Sequence, residues 1–224
     1  MFALPLLSAL AASSLAAPHL KKRDSVSGFD ISHYQPSVDF EAAYNDGGLR
    51  FVYIKATEGT TYEDPMFSSH YAKATSAGFI RGVYHFAHAD SSATAQADFF
   101  VANGGGWSND SVTLPGMLDL EAPCSESDDW EGWIKDFSDR YFDKTSRYPV
   151  LYSSPSWWEE CTGDSSAFVD TNPLDMACWN NEACDPQGSW PFYTFWQNAD
   201  TNDYGGDSDV FNGDLTQLKK LAIG

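Results

Sequence analysis

Positive charge is scarce in this sequence. Its 224 residues hold 13 Lys and Arg against 32 Asp and Glu, for a formal net charge of −19. Such a chain repels nucleic acid and has no basic patch for phosphate, so no nucleic-acid partner is expected. Attraction to other anionic surfaces is equally disfavoured. Long apolar runs are absent after the first 17 residues, so no membrane-spanning segment and no membrane partner are expected. Cysteine is limited to Cys124, Cys161, Cys178 and Cys184, with neither Cys-x-x-Cys nor His-x-x-x-His spacing, which argues against a metal site. The triplet Gly104–Gly106 lacks the following Lys-Ser/Thr of a phosphate loop. No Ser-His-Asp or Cys-His-Asn order occurs, and His85 and His88 read as structural histidines. Linkers, low-complexity tracts and internal repeats are missing as well.

The apolar start, MFALPLLSALAASSLAA (1–17), has the length and small-residue ending of a signal peptide. A short pro-segment, 18–23, ends in the basic pair Lys22-Arg23. The expected mature chain is therefore 24–224, long enough for one domain with a sizeable core or at most two small ones, and secreted to the extracellular space. Four cysteines in a secreted chain suggest two disulfides. Cys178–Cys184 would staple a local loop and Cys124–Cys161 would follow, although three connectivities are open. Asn109-Asp110-Ser111 is a glycosylation sequon in a polar, Gly-rich stretch. A monomer is the default expectation for such a protein.

Short β-rich runs recur at 28–32, 51–55, 82–86, 116–121, 149–153 and 193–197. Helical spacing lies between them at 40–45, 65–77, 92–103 and 127–145. In the last, Trp130, Trp133, Ile134, Phe137 and Tyr141 form a stripe that reads as core. Alternating strands and helices imply an α/β fold with a parallel sheet. Polar residues recur at strand C-terminal ends: Asp30, Lys55, His85, Asp119 with Glu121, Tyr152 and Gln197. In a TIM-like β/α barrel these ends meet at one mouth, where active sites sit. The part after Cys161 is less regular, so the barrel is expected to be incomplete on that side.

Within LPGMLDLEA (114–122), Asp119 and Glu121 stand two apart on one face of an apolar strand. Carboxylates this close cannot both ionise freely, so one pKa should rise. A protonated acid beside an ionised one is what cleavage of a glycosidic bond requires. Capping by a Lys, or half of a divalent-cation site, is the structural alternative. Lys55, at a strand end, is expected to pair with Asp30 or Asp119, or else to snorkel from a peripheral strand. Tyr34, Tyr62, Tyr84, Tyr152 and Trp196 sit at or just beyond strand ends and offer flat faces for sugar rings, with core packing as the alternative for each.

The ordered set GFDISHYQ (28–35), FVYIKATEGTTYEDP (51–65), GVYHFAH (82–88), MLDLE (117–121), RYPVLYSSPSWW (147–158), YTFWQ (193–197) and DVFNGD (209–214) resembles the family 25 glycoside hydrolases, the Chalaropsis-type lysozymes, in a secreted fungal form. The resemblance implies about five β/α units completed by further strands. It implies hydrolysis of the β-1,4 bond between N-acetylmuramic acid and N-acetylglucosamine in bacterial peptidoglycan, without metal or cofactor. Glu121 would be the general acid/base, and Asp119 would orient the substrate's own N-acetyl group as nucleophile. Asp30 and Asp209 would complete the acidic cluster. An inverting or direct-nucleophile course is also open. The segment PLDMACWNNEAC (173–184) departs from the family pattern and adds an acid, Asp175. Two rivals are a chitinase, whose D-x-x-D-x-D-x-E signature is missing here, and a non-catalytic wall-binding protein.

Overall fold

A computed structural model describes residues 24–224; the expected leader and pro-segment lie outside the described residues. Strands β1 (Val26–Ile31), β2 (Phe51–Glu58), β3 (Tyr62–Glu63) and β4 (Ile80–Phe86) alternate with helices α1 (Phe40–Asn45), α2 (Phe67–Ala77) and α3 (Ala93–Phe100). Strand β5 (Met117–Asp119), helix α4 (Trp130–Thr145), strand β6 (Val150–Ser153) and helix α5 (Pro155–Thr162) follow. Strands β7 (Leu174–Ala177), β8 (Phe195–Ala199) and β9 (Asp207–Phe211) then run on without helices between them, before helix α6 (Leu215–Ile223).

The sheet order is β1-β9-β8-β7-β6-β5-β4-β2, and a β1–β2 pairing closes it into an eight-stranded barrel. Seven strands run parallel, and β9 runs antiparallel to both of its neighbours. β3 adds an antiparallel hairpin arm to β2 at the rim. The expected five β/α units are thus present, and the helix-poor third still closes the ring. Its strands supply the backbone pairing even where no helix covers them, which removes both sheet edges.

Local chemistry explains several boundaries. Helix α4 starts where Asp129 accepts from the Gly132 N–H, and its aromatic stripe is buried as expected. Helix α5, which the sequence pattern does not mark, begins with a Ser154 cap and Pro155 in its first turn. Helix α6, also unmarked, opens with a capping box between Asp214 and Gln217.

Along each strand alternate side chains enter the barrel. At the N-terminal ends the interior is apolar: Val26, Phe51, Tyr53, Ile80, Val150, Phe195 and Phe211 form one cluster. Phe195 is the hub, with ring centroids 5.2 Å from Phe51, 5.5 Å from Tyr53 and 5.3 Å from Phe211. These rings fit because their neighbours are glycines. A Cβ on Gly28 would lie 2.5 Å from the Phe51 ring, and one on Gly82 would lie 2.1 Å from that of Tyr53.

Candidate active site

Two or four residues further along the same strands, the interior becomes polar. Asp30, Tyr84, Met117, Asp119, Glu121, Tyr152, Asp175, Gln197 and Asp207 line one cavity at the C-terminal mouth. Asp119 is the last residue of β5 and is buried, whereas Glu121 lies just past the strand and is exposed in the mouth. Burial is the main force raising the Asp119 carboxyl well above its ordinary pKa. The Glu121 charge adds to it and Lys55 opposes it. The cavity walls raise Glu121 as well, against Asp119 and Lys55. The pair therefore behaves as one unit that shares a proton.

Gln197 organises the facing wall. Its Oε1 accepts from the Tyr152 hydroxyl at 2.8 Å and from the Trp179 indole N–H at 2.9 Å. Its Nε2 donates to Asp30 Oδ2 at 2.8 Å and to Asp207 Oδ2 at 3.3 Å. Burial and the neighbouring Asp207 push Asp30 up to about 7, although the Gln197 amide holds it down in part. Asp207 is pushed up to about 6 by burial, with Asp200 and Glu121 contributing.

The expected residues divide three ways. Asp30, Tyr84, Asp119, Glu121 and Tyr152 meet in the cavity. Asp209 sits beneath it rather than in it. Because β9 runs against the other strands, its N-terminal end reaches the mouth, so Asp207 stands opposite Asp30 while Asp209 lies deeper, opposite Gly28 and Gln197. Asp209 is buried with Oδ1 unpartnered, and burial together with Asp30 raises its pKa well above the ordinary value. Lys55 takes neither Asp30 nor Asp119 as its ion pair. Its Nζ lies 2.6 Å from Glu58 Oε2, three residues on along its own strand, and 4.8 Å from the Phe86 ring centroid.

Trp196 also differs from expectation. Phe195 and Gln197 face inward, so the residue between them faces out; its indole donates to the Cys178 carbonyl at 2.7 Å and it packs near Tyr193. Tyr34 and Tyr62 stand on the rim outside the acid-lined cavity. Tyr34 is 78% exposed and stacks on His33 at 4.2 Å. His33 Nδ1 lies 2.8 Å from Asp64 Oδ2 and 3.2 Å from the Tyr62 hydroxyl.

Of the two marked histidines, buried His85 bridges Thr57 and Gln96 and burial lowers it to about 4. His88 lies between Glu58 and Glu126 at 3.1 and 3.2 Å. The disulfides join Cys124 to Cys161, tying the turn after the acid pair to α5, and Cys178 to Cys184, closing the loop that carries Trp179. Four residues of the mouth stand outside the expected set. Asp207 needed the direction of β9 to be placed, and Trp179 needed the fold of the loop. Gln197 and Asp175 carried a signal, as a strand end and as an extra acid.

Paired acids sharing a proton at the C-terminal mouth of a β/α barrel are the arrangement of a glycoside hydrolase. Residues 29–207 match the model of the glycosyl hydrolases family 25. The chain is 54% identical to an N,O-diacetylmuramidase of Arthroderma benhamiae, with 97% of each chain covered. It is 55% identical to the N,O-diacetylmuramidase of a Chalaropsis species, over 89% of this chain and all of that one. The fold superposes on the family 25 lysozyme of Aspergillus fumigatus with a TM-score of 0.86 at 49% identity, over 90% of this chain and 100% of that one. The chain belongs to glycosyl hydrolase family 25.

Proposed function

We propose that this protein is a lysozyme that hydrolyses the β-1,4 bond between N-acetylmuramic acid and N-acetylglucosamine in bacterial peptidoglycan. The observation that carries this reading is the shared-proton pair of Asp119 and Glu121 in the mouth. Kinship with muramidases supports the choice of substrate.

The more deeply buried Asp119 is the stronger proton holder of the pair. A substrate N-acetyl N–H donating to Asp119 favours its ionised form, and the shared proton then passes to Glu121. Glu121 gives that proton to the glycosidic oxygen as the bond to the anomeric carbon breaks. The acetamido oxygen attacks that carbon, and the resulting ring intermediate is opened by a water that Glu121 deprotonates. Asp30 and Asp207 face the reacting centre from the opposite wall, where the ionised fraction of each stabilises the positive charge that develops, and Asp209 adds to the polarity of the site from below. Tyr84 and Tyr152 shape the wall against the sugar, buried Lys55 supports the acid pair from behind, and Tyr34 and Tyr62 form an outer rim for a longer glycan.

The leader at 1–17 and the Lys22-Arg23 site support secretion, and the two disulfides suit an oxidising compartment. Asn109 is exposed; nearby Thr113 pairs with Arg81 at the start of β4, which puts a glycan there at the end of the barrel away from the mouth. The test is clearing of a Gram-positive cell suspension. Wild type should clear it, and Glu121→Gln should bind walls without clearing them. Clearing by Glu121→Gln would overturn the assigned roles, and cleavage of chitin oligomers with walls left intact would favour a chitinase.

A further inference from the structure

Trp179 combines two properties that seldom occur together. It is 57% exposed, yet its indole nitrogen is spent on a buried side chain, Gln197. An indole N–H can only donate, so the Gln197 atom it meets must be the amide oxygen. Tyr152 supplies a second donor, its hydroxyl, to that oxygen. With the oxygen held twice, the amide N–H2 is left to face Asp30 and Asp207. Were the amide turned over, its oxygen would confront two carboxyl groups.

The loop carrying Trp179 is built to keep it there. The Cys178–Cys184 disulfide closes it. The Cys178 N–H donates to the Gln197 carbonyl at 3.0 Å, and the Cys178 carbonyl accepts from Trp196. From these contacts we infer that Trp179 is a positioning residue, which fixes the Gln197 amide against Asp30 and so sets the charge state of the acid cluster. The inference rests on the lysozyme reading for its kinetic consequences and on hydrogen bonding alone for its electrostatic one.

Asp30 is faced by Asp207 and Asp209 from β9, by Asp119 and Glu121 at the end of β5, by Asp175 from β7 and by the phenols of Tyr84 from β4 and Tyr152 from β6. Against these groups the Gln197 amide, which donates to Asp30, favours the ionised form. Loosening its grip must therefore move Asp30 to a higher pKa, and move to higher pH whichever limb of the rate profile Asp30 governs.

The test is Trp179→Phe, which keeps an aromatic face and loses the N–H. On wall fragments kcat should fall about fivefold, the worth of one hydrogen bond, with KM within about twofold of wild type. The Asp30 carboxyl, followed by carbon NMR, should titrate at higher pH than in wild type. Adding Trp179→Phe to Gln197→Ala should cost little beyond Gln197→Ala alone, because the relay is already cut. An unshifted Asp30 titration, or losses that add fully in the double variant, would overturn the inference. A wild-type protein inert on walls would overturn the lysozyme reading instead, and the Asp30 titration would still decide this one.

Discussion

The two ends of the barrel are made from the same strands and obey opposite rules. Strand β9 shows this over five residues: Phe211 packs against Phe195 on the floor, Asp209 is buried at mid-depth, and Asp207 lines the mouth. The floor is filled with aromatic rings seated on glycines, and its removal from water stabilises the fold. The mouth buries carboxyl groups that form no salt bridge among the described residues. Asp119, Asp175 and Asp209 each leave an oxygen unpartnered, which opposes folding. The floor thus offsets the cost of the mouth. Strain of this kind is expected where a site must hold protons that water would remove.

The sharpest way to break the comparison is a change that alters one end and leaves the other intact. Glu121→Gln keeps the shape of the mouth and removes its proton carrier, so lytic activity should fall about 10²- to 10⁴-fold, the usual weight of a general acid. The thermal unfolding temperature should not fall by more than about 1 °C, since Glu121 lies at the open mouth and its loss relieves the neighbouring Asp119. A matched loss of stability would mean that the two ends are not separable. On the floor, Phe51→Ala should cost about 3–5 kcal/mol of unfolding free energy, because a fully buried ring is replaced by a cavity. Urea denaturation measures it, and a cost below about 1 kcal/mol would show that the floor collapses to fill the gap.

A pH series probes the mouth without mutation. Asp30 at about 7 and Asp207 at about 6 hold protons in the folded state that the unfolded chain, with an ordinary value of 3.8, has already released. Their folded pKa values are raised, so their effect is most favourable below the unfolded value and is lost as pH climbs toward 7. His88, raised by Glu58 and Glu126, also loses its contribution as pH rises through its folded pKa. Glu58, Asp98 and Asp110 are lowered and contribute in the opposite sense, losing stability under acid. The melting temperature should therefore peak near about pH 4–5 and fall toward neutrality, and lytic activity should favour the acid side. A melting temperature that rises from pH 5 to 7 would contradict the buried-acid account. The smallest effect is expected from Asp209→Asn, which replaces a buried carboxyl of raised pKa with a neutral amide of the same shape. At pH 7 it should raise stability by about 1 kcal/mol, or about 2–4 °C, and calorimetry can resolve that.

Much of this molecule is legible before folding. The acid pair of β5, the aromatic stripe of α4 and the strand-end residues Asp30, Tyr84 and Tyr152 follow from periodicity, which is local. What periodicity misses has a physical pattern. Trp196 lies near a strand end, but alternation with Gln197 turns it outward. Lys55 pairs with neither Asp30 nor Asp119, the carboxylates its strand-end position suggests, because Glu58 lies three residues away along a strand that bulges between Lys55 and Thr57. Helices α5 and α6 are short, and their caps, not their apolar spacing, define them.

By itself the sequence determined the class of barrel, the pair Asp119 and Glu121 and the pairing of residue types with strand ends, because alternation and helical spacing act over a few residues. Only the tertiary structure decided that Asp207 rather than Asp209 lines the mouth, since that depends on β9 running against its neighbours. The same holds for Gln197, whose amide is set by Trp179 and Tyr152, residues 18 and 45 positions away in the chain. Such contacts arise from strand order and loop closure, and no local pattern of residues encodes either one.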